Sequence, residues 1–143
     1  MSYRYLEDIA GGDVAFEVWG KDLSELFSSA ADATMNVMIE NLESIEYQEA
    51  VEFFIENEAL DMLLFNFLQE LVFFKDARKL LLRVPLVSIE SDNLGFTLHA
   101  SAFGEKLDKK KHNPIVDVKA VTLHHFSLQQ SDDGWKAIAV LDV

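Results

Sequence analysis

The stretch that leaves the fewest folds open to this chain is residues 58–76. Leu60, Leu63, Leu64, Phe67, Leu68, Leu71 and Phe74 recur there at helical spacing, and Asp61, Asn66, Gln69 and Glu70 are its few polar positions. A helix with so wide an apolar face belongs at the centre of a domain or in an interface, not on a water-facing surface. Other elements must therefore cover it. Residues 22–38 predict a second helix with a narrower buried stripe of Leu23, Leu26, Phe27, Ala30, Thr34, Val37 and Met38. Ser24, Glu25, Ser28, Asp32 and Asn36 lie opposite that stripe, and Asp22 with Glu25 three residues on forms a capping box at its start.

The remaining runs read as strands. In residues 13–19, Val14, Phe16 and Val18 share one face while Asp13, Ala15 and Glu17 share the other, before a turn at Gly20-Lys21. Further strands are expected over 44–56, 80–90, 94–103, 115–128 and 135–142, with hairpin turns at Ser91-Asp92-Asn93 and Ser131-Asp132-Asp133-Gly134. The order β-α-β-α-β-β-β-β gives an α+β fold: two helices packed on largely antiparallel β-sheet, in a single compact domain over residues 1–143. With 143 residues, half of them hydrophobic and 11 of them Phe, the chain can bury a sizeable core.

Composition removes several classes of function. The absence of cysteine excludes a disulfide scaffold, Cys-ligated zinc or iron–sulfur centres and thiol catalysis. No apolar run approaches the ~18 residues of a membrane span. The polar, acidic start Met1–Asp8 does not resemble a signal peptide, so a cytoplasmic location is the expectation. Twelve Lys+Arg against 25 Asp+Glu, a formal net charge of −13, argue against wrapping nucleic acid and favour basic partners or cations. Serine nucleophile elbows, Walker-type loops and G-x-G-x-x-G are absent, so a standard hydrolase or nucleotidase has no visible machinery.

Some residues invite closer reading. His99, His112, His124 and His125 match no zinc spacing, and strand alternation predicts that the rings of His124 and His125 point to opposite faces. The basic run Lys106–His112 falls in a predicted loop, where it either touches phosphate or an acidic partner or simply offsets local charge. Lys119, flanked on its face by Ile115 and Val121, either snorkels or pairs with a carboxylate such as Asp117. Asp142, the α-carboxylate of Val143 and Asp13 would bring three anionic oxygen groups together if the two strand ends met. Such a set suits Mg²⁺, Ca²⁺ or Mn²⁺ and not zinc. If the ends stay apart, Asp13 and Asp142 are solvated strand ends.

Several segments occur together in a telling order: Asp13–Gly20, Leu23-Ser24-Glu25-Leu26-Phe27, Leu63–Leu71, Gly104-Glu105 with Asp108 and His112, Val118–His124, Gly134-Trp135 and Val140-Leu141-Asp142-Val143. Over essentially the full length this resembles the archease family. The resemblance implies a non-enzymatic accessory protein that activates the RtcB-type RNA ligase of tRNA splicing and RNA repair. Activation in that family means promoting metal- and GTP-dependent guanylylation of the ligase and its repeated turnover, with tRNA reached only through the ligase. The resemblance also implies a divalent metal ion (Ca, Mg or Mn) held by Asp13, Asp142 and Val143, and a role in ligase activation for Lys119. The alternative is a chaperone-like modulator of RNA-modifying enzymes such as a tRNA methyltransferase, working through the acidic surface. A dimer and a monomer are equally compatible with the broad face of residues 58–76. One departure stands out: where the family has a His-Thr-Ala-Asp lead, this chain has Ile9-Ala10-Gly11-Gly12-Asp13. Two glycines loosen the approach to Asp13, at roughly 0.5–1 kcal/mol each in chain entropy. Leu123 also stands where family members often carry an aromatic residue.

Overall fold

In chain order the elements are β1 (Tyr3–Leu6), β2 (Val14–Gly20), α1 (Leu23–Met38), a 3-10 turn (Leu42–Ser44), β3 (Glu49–Asn57), α2 (Leu60–Arg78), β4 (Leu80–Asp92), β5 (Gly95–Lys106), α3 (Lys109–His112), β6 (Ala120–Ser131) and β7 (Gly134–Asp142). They come from a computed structural model that describes residues 2–6 and 12–143. All pairing is antiparallel, in one sheet ordered β1-β2-β7-β6 and another ordered β3-β5-β4. The α+β expectation holds, with α3 added to the two long helices. No described helix is long and apolar enough to cross a membrane.

The apolar breadth of residues 58–76 is used as its pattern demands. α2 touches β3, β4 and β5 of one sheet and β6 of the other, while α1 touches β2 and β7 on one side and β4 on the other. One continuous cluster of buried side chains joins both sheets and both helices. Phe67 of α2 is its hub, with ring centroids 5.7 Å from Phe27 of α1 and 5.9 Å from Phe53 of β3. Burial of side chains this large is the main force holding the layers together.

The polar stripe of α1 has a role that periodicity alone does not reveal. Ser24 and Ser28 donate to the carbonyl oxygens of Val87 and Val84, and Arg83 clasps Asp32 through Nε (3.1 Å) and Nη2 (2.9 Å). The stripe thus covers the outer edge of β4, where Pro85 lacks a donor and the register with β5 shifts between Arg83 and Leu86. Covering an edge in this way suppresses unwanted strand pairing. The predicted start of α1 is correct: Asp22 accepts from the backbone N–H of Glu25 at 2.8 Å.

Elsewhere the boundaries differ from the sequence expectation for identifiable reasons. β3 begins at Glu49, not 44, because Asn41 caps a 3-10 turn by accepting from the Glu43 N–H. β6 begins at Ala120, and residues 115–119 lead into it without ladder pairing. The Lys106–His112 run includes a short helix, capped by Asp108 through the N–H groups of Lys110 and Lys111. β1, absent from the sequence expectation, docks by its tyrosines: Tyr3 donates to Asn36 and Tyr5 to the Ala33 carbonyl of α1. At Gly104, β5 lies so close to β4 that an added Cβ would run into the Leu81 carbonyl oxygen, so only glycine fits.

Candidate functional site

Strand register brings the sequence-predicted residues to one end of the first sheet. β2 and β7 pair from Gly20↔Trp135 down to Val14↔Leu141, and one residue beyond that last couple stand Asp13 and Asp142. On the other side of β7, β6 pairs down to Ala120↔Asp142, and the Lys119 N–H donates to the Asp142 carbonyl at 2.8 Å. Three strand ends therefore carry Asp13, Asp142 and Lys119 side by side. Phe16, Val18, Ala137, Ala139 and Leu141 face the core, so alternation puts Asp13 and Asp142 with Ala15 and Val140 on the opposite face. Val143 falls on the core side and packs, half-buried, against the cluster.

Asp13 and Asp142 are half-buried, Lys119 is exposed, and none of the three makes an ion pair among the described residues. A divalent ion between the two strand ends would find oxygen donors of matching charge there. The donors present are hard oxygens, which fits Mg²⁺, Ca²⁺ or Mn²⁺ in kind. No three His, Cys, Asp or Glu side chains gather into a metal-holding group among the described residues, so any such site needs main-chain or terminal oxygens as well. Gly12 has φ +101° with open space around a hypothetical Cβ; conformation and not crowding makes it a glycine. Ile9, Ala10 and Gly11, the rest of the departing lead, lie outside the described residues.

Two polar positions of α2 hold the Lys119 segment. Lys75, whose side chain is only 7% exposed, donates to the Val118 carbonyl (2.8 Å) and to Asp117 (2.6 Å), and is also paired with Asp76. Burial disfavours its charge, but Asp117 and Asp76 outweigh that and leave its pKa above the ordinary lysine value. Gln69 accepts from the Val121 N–H at 3.0 Å. Asp117 is thus claimed by Lys75 and not by Lys119, which corrects the pairing offered from sequence. The missed signal was a lysine at position 75, close to the buried face of a largely apolar helix.

The histidine expectation is also corrected. Between Thr122↔Val140 and Ser127↔Ile138, β6 has four residues where β7 has only Ala139. This multi-residue bulge, with His125 at φ +56°, breaks the strand alternation and brings the His124 and His125 rings to 4.0 Å. Phe126 turns inward onto Phe65, leaving Leu123 and both histidines exposed.

Glu105, Asp108 and His112 form a second, closed polar group. The Asp108 N–H donates to His112 Nδ1 (2.9 Å), and His112 Nε2 meets Glu105 at 3.0 Å. Glu105 also accepts from the Glu46 N–H (2.8 Å) and pairs with Lys111 (2.8 Å), which reaches Glu46 as well. Burial opposes the charged form of Glu105, yet the Glu46 N–H, Lys111 and His112 outweigh it and hold its carboxyl at about 2. Every partner is supplied from within the chain.

Fold and sheet end together define a small α+β domain in which three strand ends bring Asp13, Asp142 and Lys119 side by side. The chain belongs to the archease protein family (MTH1598/TM1083), whose sequence profile matches residues 3–143. It is 39% identical over 132 residues to the protein archease of Pyrococcus abyssi, covering 92% of both chains. It is 34% identical over 142 residues to that of Methanosarcina barkeri, covering 99% of this chain and 95% of the relative. The solution structure of Methanobacterium thermoautotrophicum protein 1598 superimposes with a TM-score of 0.85 at 30% identity, over 99% of each chain. The fold is shared with a Thermotoga maritima protein described as an archease, possible chaperone, at a TM-score of 0.64 and 16% identity over 96% of this chain and 97% of that one.

Proposed function

We propose that this protein is a non-enzymatic, cytoplasmic accessory factor that activates an RtcB-type RNA ligase in tRNA splicing and RNA repair. Membership of the archease family supports the reading, and one observation carries it: Asp13, Asp142 and Lys119 stand together at one sheet end with no ion-pair partner among the described residues. Asp13, Asp142 and the α-carboxylate of Val143 would hold a divalent metal ion, Ca, Mg or Mn. When bound, that ion supplies positive charge and Lewis acidity toward phosphate oxygens. Lys119, on a backbone fixed by Asp142, Lys75 and Gln69, presents an ammonium group to a phosphate or an acidic group of the ligase. The net charge of −13 suits docking on a basic RNA-binding enzyme, where complementary potential speeds encounter and selects the partner. In this reading tRNA is approached only through the ligase.

A multiple-turnover ligation assay with Mg²⁺ or Mn²⁺ tests the proposal. The intact protein should sustain turnover and accumulate guanylylated ligase, whereas Asp142→Ala and Lys119→Ala should fold normally and fail to stimulate. Full stimulation by both variants would overturn it. A chaperone-like action on RNA-modifying enzymes such as a tRNA methyltransferase is favoured by a different observation. Tyr47, Phe54 and Leu86 are exposed on or beside the second sheet. Activation that survives the same two substitutions and excess chelator would support that second reading.

A further inference from the structure

The two outer strands of the second sheet are treated differently. β4 is covered by α1, as described, and interrupted by Pro85. β3 pairs with β5 alone and has no partner on its other side among the described residues. Along that free side, between residues 52–56 and α2, runs a groove with about 490 Å³ of open space. Three glutamates line it, Glu52 and Glu56 from the strand and Glu70 from the helix. Glu56 and Glu70 make no ion pair among the described residues, while Glu52 is shared with Ser101 (2.9 Å) and His99 (3.4 Å). Among the described residues, no lysine or arginine lines the groove.

We propose that this groove receives an extended polypeptide segment bearing lysine or arginine, which adds to β3 as a further strand. An edge strand presents unpaired N–H and C=O groups, and an extended chain satisfies them one by one. Residues 52–56 span roughly 17 Å of strand, enough to template about five residues. Stacked Phe53 and Phe74 (centroids 5.5 Å) give the groove an apolar wall, and the exposed Phe54 (68%) offers a contact to alternate side chains of the guest. Charge decides the guest's chemistry. A second copy of this chain pairing through β3 would set glutamate against glutamate, and an acidic segment would meet the same repulsion. A basic segment neutralises Glu56 and Glu70. Gln69 lines the groove and also holds the Val121 N–H, so the guest lies beside the helix position that anchors the Lys119-bearing segment.

The test uses the purified protein and a labelled short peptide of lysine and valine, with lysines placed on both faces of the extended strand, followed by fluorescence anisotropy and by hydrogen exchange. Binding should slow exchange at β3 amides. It should weaken roughly tenfold or more in the double variant Glu56→Lys/Glu70→Lys, and similarly when alternate backbone nitrogens of the peptide are methylated. Glu56→Gln/Glu70→Gln, with a melting curve matching the parent protein, controls for folding and should weaken binding less. Asp132→Lys/Asp133→Lys, in the β6–β7 turn, should leave it unchanged. Undiminished binding of the methylated peptide would overturn strand addition. Equal weakening by the Asp132/Asp133 variant would overturn the groove as the site, and absence of binding would overturn the proposal whole. None of these outcomes depends on the ligase.

Discussion

Two polar regions sit at opposite extremes of the same physical scale. At the end of β5, Glu105, Lys111, His112 and the Glu46 N–H close on one another with Glu105 and His112 buried, and each charge finds its partner inside the chain. Where β2, β7 and β6 end, Asp13, Asp142 and Lys119 stand together without ion pairs among the described residues. Both regions contain residues that carry the family resemblance, yet only the second offers its charges to something outside. A satisfied buried network stabilises a fold, whereas half-exposed charges without internal partners add little to stability and are free to meet a ligand.

Substitutions should separate the two regions. Glu105→Ala is expected to have the largest effect, a loss of about 2–4 kcal/mol in denaturant unfolding, because His112, Lys111 and the Glu46 N–H lose a buried acceptor together. Acid should dissect the same knot. The Glu105 carboxyl titrates at about 2 when folded against an ordinary 4.5, so its contribution is complete above about pH 4.5 and is lost as pH falls toward 2. In Glu105→Gln that part of the acid dependence should flatten, as read by thermal unfolding across the pH range. Lys75→Met ranks next, at about 1–3 kcal/mol, and should speed hydrogen exchange at Lys119 and Val121 more than in the β3–β5 ladder. The smallest stability change belongs to Asp13→Asn and Asp142→Asn, within about 0.5 kcal/mol of the parent protein, since neither carboxylate has an ion pair to lose among the described residues. A loss of several kcal/mol from either would place them with the knot and erase the contrast.

What was legible in the sequence follows from how local each signal is. α1, α2 and the Asp22 cap were readable because helical periodicity and capping involve neighbours a few residues apart. β1 was not, since four residues give too little alternation and its docking depends on Asn36 and Ala33, some 30 positions away. The β6 bulge leaves no mark in the sequence, where a regular strand alternation runs unbroken through His124 and His125. Lys75 escaped because its partner Asp117 lies 42 residues along the chain. Asp13 and Asp142 could be singled out as carboxylates at strand ends. Whether those ends meet is a matter of long-range register, which the residues themselves do not state and the Val14↔Leu141 pairing supplies.

The contrast comes down to where a hard cation goes on a surface rich in carboxylates. Substoichiometric Mn²⁺ added to isotopically labelled protein, read as paramagnetic broadening of backbone amides, answers this directly. Asp13, Val14, Ala120, Asp142 and Val143 should broaden first, and Asp142→Asn should remove the effect. Broadening that begins around Glu46 and Glu105, or spreads evenly over the acidic surface, would contradict it.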